Sequence, residues 1–318
     1  VCANLANSWA AAGWQVRVAS LAVSEMDHYS LHPAVKRSVL GLLTESKNPV
    51  TALFRNAQRI WRLRQLLRQS KPGVVVSFMT SANVILAFAR LGVSGVVCIG
   101  SEHTHPPKLP LGVVWERLRA TSYGFLDVVT ALTDESALWL ERHTNARRVV
   151  IIPNPIPYPL PNQSPQIAPK TIGISGRKRL LAIGRLTPQK GFDMLISAFS
   201  KLALKHTDWE LVILGEGELR KDHEKQIRQL NLESSVYMPG VAGNVGDWLE
   251  SAHLFVLSSR FEGFGNVLVE ALNYGLPTVS YNCETGPRDL IRHGIDGLLV
   301  PPLDVDALIV ALDQLMSD

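Results

Sequence analysis

Glu262 and Glu270 stand eight positions apart in the segment RFEGFGNVLVEALNYGLP (residues 260–277), around a glycine-containing turn. Phe264, Val267, Leu268, Ala271 and Leu272 recur at helical spacing, which predicts a helix over 265–274 with Glu270 in its second turn. Glu262 then sits just ahead of that helix. The backbone N–H groups of Gly263, Phe264, Gly265, Asn266 and Val267 point out of its N-terminus, where unpaired donors and a positive dipole end favour an anion. A phosphate at this turn would have a carboxylate on either side, placed to accept hydroxyl hydrogen bonds from a sugar or a ribose. Taken alone, the same spacing also describes a surface helix with two solvated acids.

A second segment, LLAIGRLTPQKGF (residues 180–192), reads as an apolar strand ending at Gly184, a short loop, and a helix starting near Gly191. Arg185 and Lys190 therefore lie at the carboxyl end of a strand. A planar fork of donors beside a compact ammonium suits a diphosphate. A generic pair of loop cations would be solvated, but a glycine on each side and the strand-end position favour a binding loop.

These residues need elements to hold them. Apolar runs at 16–21, 74–79, 96–100, 127–132 and 148–152 alternate with helical patterns near 51–70, 82–91, 111–124 and 134–143. Runs at 180–184, 210–214, 254–258, 277–281 and 297–300 alternate with patterns near 192–205, 219–230, 265–274 and 305–316. Such alternation predicts an α/β chain with parallel sheets covered by helices. Seven prolines within 153–169 exclude a helix or a central strand there and mark a stiff linker or a crossing strap. The expected organisation is a first domain over 1–160, a Pro-rich linker over 161–176 and a second domain over 177–318. Two doubly wound domains facing a central cleft would line it with the carboxyl ends of their strands, where such sheets bind ligands.

With 318 residues, 46% hydrophobic and 19% charged, the chain is globular and not disordered. No apolar run reaches the roughly 18 residues a membrane-spanning helix needs. Three scattered cysteines, Cys2, Cys98 and Cys283, imply neither a disulfide framework nor a zinc knuckle and point to a reducing cytoplasm. The net charge of +4 conceals 18 Lys and Arg against 9 Asp and Glu in residues 1–170, and 14 against 19 in the remainder. Residues 51–71 form a basic amphipathic helix, predicted to turn Leu53, Ala57, Ile60, Leu63 and Leu67 to the sheet and Arg55, Arg59 and Arg62 outward. It suits either a solvated surface or peripheral contact with an anionic membrane. Nucleic acid is not expected as a partner, because no aromatic platform accompanies the charge.

The ordered motifs resemble glycosyltransferase family 4, retaining nucleotide-sugar enzymes of the GT-B fold. The resemblance rests on Gly184-Arg185 with Lys190-Gly191, the Glu262–Glu270 pair and Gly275-Leu276-Pro277. Asn154-Pro155, Gly215-Glu216-Gly217 and the run from Gly294 to Val300 add to it. It is dense from about 150 to 318 and looser before. It implies that Arg185 and Lys190 bind the donor diphosphate beside Gly184, that Glu262 holds hydroxyls of the transferred sugar, and that Glu270 accepts from the ribose. Gly265, Asn266 and Val267 would offer N–H groups to the distal phosphate. It also implies front-face displacement without a metal or other cofactor, in which a donor phosphate oxygen helps to deprotonate the acceptor.

The family often carries a histidine near the reacting carbon. His103, in the Ser101–His105 loop, is the candidate and His105 the second, although a loop histidine needs no role. Cys283, Thr285, Gly286, Pro287 and Arg288 resemble a run in members that build bacterial surface polysaccharides from uridine diphosphate sugars on lipid-linked acceptors. Arg288 would then touch acceptor or solvent. The implied location is the cytoplasm or the inner face of the cell membrane. A nucleotide-sugar epimerase or a non-catalytic nucleotide-sugar-binding protein of similar fold would share much of this pattern. The family also has a first strand with a glycine-rich loop and a C-terminal crossing helix, which this chain is expected to lack. Asp304-Val305-Asp306 is not read as a metal-binding motif, because Asp304 reads as the N-cap of the last helix. Gly215-Glu216-Gly217 lacks the third glycine of a dinucleotide fingerprint.

Overall fold

The structure, a computed structural model, describes residues 1–20, 30–40 and 49–318. The chain divides into two compact units, Val1–Pro155 and Ile156–Asp318.

The first unit runs α1 (Cys2–Ala11), β1 (Arg17–Ser20), β2 (Lys36–Val39), α2 (Pro49–Ser70), β3 (Val74–Phe78) and α3 (Thr80–Ala89). It continues with β4 (Val97–Ser101), α4 (Val113–Ser122), β5 (Val128–Ala131), α5 (Asp134–His143) and β6 (Val149–Ile151). Strands β3, β4, β5 and β6 form one parallel sheet in that order, while β1 pairs in parallel with β2 in a ladder of its own. Leu21, the predicted end of the first strand, lies outside the described residues, and β2 was not anticipated.

Helix α2 corrects the reading of its faces. Ile60, Leu63 and Leu67 pack into the core of the unit, but Leu53 and Ala57 are exposed. Arg62 is partly buried and donates to the Leu40 carbonyl at 2.6 Å, and Arg59 donates to Asn56 Oδ1 at 2.9 Å. The reason is length. At 22 residues α2 is roughly 33 Å long, about twice its partner α3, so its first turns outrun the surface on which the rest packs.

The second unit runs β7 (Lys178–Ile183), α6 (Phe192–Leu202), β8 (Trp209–Leu214), α7 (Arg220–Gln229), β9 (Val236–Gly240) and α8 (Val245–Ser251). It ends with β10 (Leu254–Leu257), α9 (Asn266–Asn273), β11 (Thr278–Tyr281), α10 (Pro287–Leu290), β12 (Gly297–Val300) and α11 (Val305–Ser317). Its six strands are parallel in the order β12-β11-β10-β7-β8-β9. Helices cover both faces. Leu180 and Ala182 of β7 pack with Phe199 of α6 and Leu312 of α11, whereas Leu181 faces Trp248 of α8 and Leu268 of α9. Burial on both sides explains the continuous apolar runs, as in β8, where all six residues are buried. Strand β9 and helix α8 escaped the sequence reading. The first is an edge strand holding Pro239, and the second has seven residues. Asp304 caps α11 as expected, accepting from the Ala307 N–H at 2.9 Å.

The strand order places β7 between β8 and β10, and the chain's progress along the sheet reverses there. At such a reversal the connecting segments leave toward opposite faces and open a crevice at the carboxyl ends of the strands.

Residues 161–176 run across the second unit as a strap held by hydrogen bonds. The Gln163 N–H donates to the Gly243 carbonyl at 2.9 Å, and the Asn244 side chain exchanges two 3.0 Å bonds with the Ile167 backbone. Arg179, buried beside Glu210, anchors the end of the strap. Its Nη2 lies 2.7 Å from Glu210 Oε1 and donates to the Pro169 and Ile172 carbonyls, while Glu210 accepts the Ile174 N–H at 2.9 Å. Removing one member of a buried pair strands the other charge. Glu210→Ala is therefore expected to lower the unfolding free energy by about 3–5 kcal/mol in urea denaturation. It should also expose residues 161–176 to proteolysis before the sheet unfolds.

Candidate active site

The two loops singled out by their chemistry leave adjacent central strands at this reversal. Strand β7 ends at Ile183, just before Gly184, and its neighbour β10 leads through Ser258 and Ser259 to Glu262. The turn Gly263–Gly265 follows, and α9 begins at Asn266 with Glu270 in its second turn, close to the predicted bounds. The Phe264 side chain is buried and supports the turn from within, and its backbone packs against Gly286. Gly265, at φ 92°, is the N-cap, and no side chain caps the helix. The first-turn N–H of Val267 is among the donors that helix geometry leaves open.

Lys190 and Glu262 meet directly. Lys190 Nζ lies 2.6 Å from Glu262 Oε1, and the two side chains are 15% and 7% exposed. Ser259 Oγ donates to the same oxygen at 2.6 Å, and Thr285 Oγ1 donates to the Glu262 carbonyl. The Lys190 stem lies flat over Gly184, where a Cβ would come 3.2 Å from three of its carbons. Gly191 is required for a similar reason. It adopts φ 63°, and a Cβ there would fall 2.2 Å from the Ser258 carbonyl oxygen. A larger residue at Gly184 would displace the Lys190 stem, and one at Gly191 would push its loop away from Ser258.

Arg185 stands differently from Lys190. Its side chain is exposed and makes no hydrogen bond or ion pair among the described residues. The site thus pairs one neutralised cation with one open cation, beside an open helix end. Glu270 is partly buried, its carboxyl has no hydrogen-bonding partner among the described residues, and burial pushes that carboxyl up to about 7. Cys283 Sγ lies 3.2 Å from the Ser259 carbonyl, and burial pushes its thiol up to about 12, so it remains protonated. Arg288 Nε donates to the Cys283 carbonyl at 3.0 Å. Ser259 and Thr285 were not assigned roles from sequence, since a serine three residues before a carboxylate is too common a pattern to single out. Among the described residues no group of three or more His, Cys, Asp or Glu is arranged to hold a metal ion.

His103 belongs to the first unit, in the loop after β4. Its Nε2 lies 3.0 Å from Ser101 Oγ, which accepts from Thr130 Oγ1 at 2.8 Å, and its ring sits 5.3 Å from that of Phe78. Burial lowers its pKa to about 4, so the ring is neutral at pH 7. The neighbouring Glu102 is 1% exposed and anchors the loop through Thr80 Oγ1 at 3.0 Å and the Tyr123 hydroxyl. His105 is buried, with Nδ1 3.0 Å from Ser136 Oγ.

The chain is similar to known proteins over both units. Residues 165–318 match the family described as Glycosyl transferases group 1, and residues 1–158 match Glycosyltransferase Family 4. The exopolysaccharide phosphotransferase SCO2592 of Streptomyces coelicolor is 34% identical over 89% of this chain, which spans 29% of that protein. A Campylobacter jejuni enzyme is 30% identical over 82% of this chain and 70% of its own length. It is named GalNAc-alpha-(1->4)-GalNAc-alpha-(1->3)-diNAcBac-PP-undecaprenol alpha-1,4-N-acetyl-D-galactosaminyltransferase. The crystal structure of Anabaena Alr3699/HepE in complex with UDP superposes with a TM-score of 0.71, covering 90% of this chain and 78% of that one at 19% identity. At that identity the likeness is one of fold.

The Glu270 carboxyl has a consequence for stability. The unfolded chain releases this proton near 4.5, whereas the folded protein holds it to about 7. Ionisation therefore opposes folding increasingly as pH rises from 4.5 toward 7, and the whole penalty is present above that range. Glu270→Gln should match the parent at pH 4 and exceed it at pH 8, by on the order of 2–3 kcal/mol in chemical denaturation. Parallel stability curves across that range would remove the case for a buried, unpartnered carboxyl.

Proposed function

The chain belongs to glycosyltransferase family 4, and on that premise we propose that it is a retaining, metal-independent hexosyl- or N-acetylhexosaminyltransferase. Its donor is a uridine diphosphate sugar and its acceptor a lipid-linked saccharide of bacterial polysaccharide or glycan synthesis. The observation that carries the reading is the meeting of Lys190 with Glu262 at the strand-order reversal, beside the open Arg185 and the uncapped end of α9. The UDP in the Anabaena complex and the PP-undecaprenol in the name of the Campylobacter enzyme support the choice of donor and acceptor.

In this mechanism the donor diphosphate lies against Arg185, Lys190 and the first N–H groups of α9. The bond from the anomeric carbon to the diphosphate oxygen breaks, and the acceptor oxygen bonds to that carbon on the same face. The acceptor proton passes to a donor phosphate oxygen, and UDP leaves. Fixed cations and backbone dipoles meet the charge that develops on the leaving group, and such preorganised groups are worth the most in a site that excludes water. Lys190 turns from Glu262 to the diphosphate, which frees Glu262 to accept from the sugar hydroxyls. Glu270 accepts from the ribose, and neutral His103 is assigned to the acceptor.

Calorimetric titration with UDP tests the donor half. Binding should weaken at least about tenfold in Lys190→Ala and in Arg185→Ala, or roughly 1.4 kcal/mol each. Transfer from a panel of UDP-sugars to an undecaprenyl-diphosphate saccharide, with the product anomer assigned by NMR, tests the rest. Lys190→Ala should cost about 10²–10³ in kcat, the scale of removing one transition-state donor. An inverted product would refute retention. Isomerised nucleotide sugar in the absence of acceptor would identify an epimerase. Absence of UDP binding would overturn the reading.

Peripheral contact with an anionic membrane belongs to the same proposal. Helix α2 carries five arginines and no acidic residue, and Leu53, Phe54 and Trp61 are exposed at 74%, 72% and 58%. No helix among the described residues is long and apolar enough to cross a membrane. Sedimentation with phosphatidylglycerol vesicles should exceed that with phosphatidylcholine vesicles, and Phe54→Ser with Trp61→Ser should reduce it several-fold. Equal sedimentation with both lipids would argue for a solvated helix.

A further inference from the structure

A second ion pair runs beside the first. Lys190 meets Glu262, and three residues further on, in the first turn of α6, Asp193 meets Arg260, two residues before Glu262. Arg260 engages Asp193 with a two-pronged contact, Nη1 to Oδ1 at 2.9 Å and Nη2 to Oδ2 at 2.7 Å. The same guanidinium donates from Nη1 to the Pro188 carbonyl at 2.7 Å, and the Arg260 backbone N–H donates to the Gln189 carbonyl at 2.8 Å. Gln189 Nε2 returns a bond to the Phe261 carbonyl at 3.0 Å, and Ser258 Oγ donates to the Lys190 carbonyl at 2.9 Å. These bonds tie residues 188–193 to residues 258–261 on both sides of the Lys190–Glu262 contact. Asp193 sits in the first turn of α6, and the hydrogen bonds from Arg260 hold its carboxyl below the ordinary range.

We infer that Asp193 and Arg260 are positioning residues: their ion pair sets the register between the Lys190 loop and the Glu262 loop, so that both address one donor molecule. The inference rests on the transferase reading of that site. The loops leave neighbouring strands, yet each strand fixes its loop at one end only, and a long lysine stem leaves the ammonium free to swing. To the bonds already holding the two segments Arg260 adds a directional constraint, because its planar fork takes a carboxylate in a single orientation, which a lysine could not impose. The pair is 34% and 45% exposed, and pairs at that exposure add little to global stability. Its effect is on geometry, where a displacement of about 1 Å can cost on the order of 100-fold in rate.

The test compares Asp193→Ala, Arg260→Ala and the double variant with the parent protein. The amide exchange of Arg260, whose N–H bonds Gln189, is expected to quicken about tenfold or more in Asp193→Ala, while the melting temperature shifts by a few degrees at most. UDP affinity is expected to fall roughly 10- to 100-fold in each single variant and no further in the double, as for two groups acting as one unit. Unchanged exchange at Arg260 would overturn the inference whether or not the protein binds UDP, so its failure is distinct from failure of the transferase reading. Unchanged affinity in the single variants would also overturn it. Losses that multiply in the double variant would show that each side chain contacts the nucleotide itself.

Discussion

The pairing of β7 with β10 joins strands more than seventy residues apart in the chain and gives the second unit its working edge. Because parallel strands require crossover connections of fixed hand, α6 returns over one face of the sheet and α9 over the other. The loops that feed these helices therefore diverge above the β7–β10 seam. Lys190 comes from one loop and Glu262 from the other, and no shorter-range element could bring them to 2.6 Å. The close approach of Gly191 to the Ser258 carbonyl follows from the same seam, since two loops rooted on adjacent strands pass within van der Waals contact there.

Two carboxylates from one short segment meet opposite electrostatic solutions. Glu262 is almost wholly buried and keeps its environment polar, with a lysine and a serine on one oxygen. Leaving that carboxylate buried without a partner would cost several kcal/mol, so a cation beside it is close to obligatory. Glu270 has no such partner and is accommodated by a raised pKa. In the proposed mechanism, ligand binding would exchange partners: a diphosphate would compete for the lysine, and sugar hydroxyls would take its place on the carboxylate. The ion pair holds both side chains buried against each other.

Much of this was legible in the sequence, and the gaps have physical causes. Strand ends at Gly184 and near Ser258 could be placed because both-face burial writes continuous apolar runs, as in β8 and β10. Strand β9 was missed because an edge strand tolerates Pro239 and carries a weaker apolar signature. Helix α2 was recognised, but its faces were misread: periodicity gives the angle at which a side chain projects and says nothing of how far the opposing surface extends. The Pro-rich stretch was read as linker or strap. Its bonds to Gly243 and Asn244 depend on partners about eighty residues away, which no local pattern records.

What the sequence determined by itself was chemical type and order: two cations after one strand, two acids around a helix start after another, and parallel sheets to carry them. These follow from local rules, since periodicity, glycine placement and strand-end position act over a few residues. Tertiary structure alone decided which of those groups are paired and which are open. Lys190 is bound to Glu262 while Arg185 is not, and Asp193 meets Arg260 across the seam. Charge pairing over distances of 2.6 to 3 Å depends on strand register and loop path, and those are set by the packing of the whole sheet.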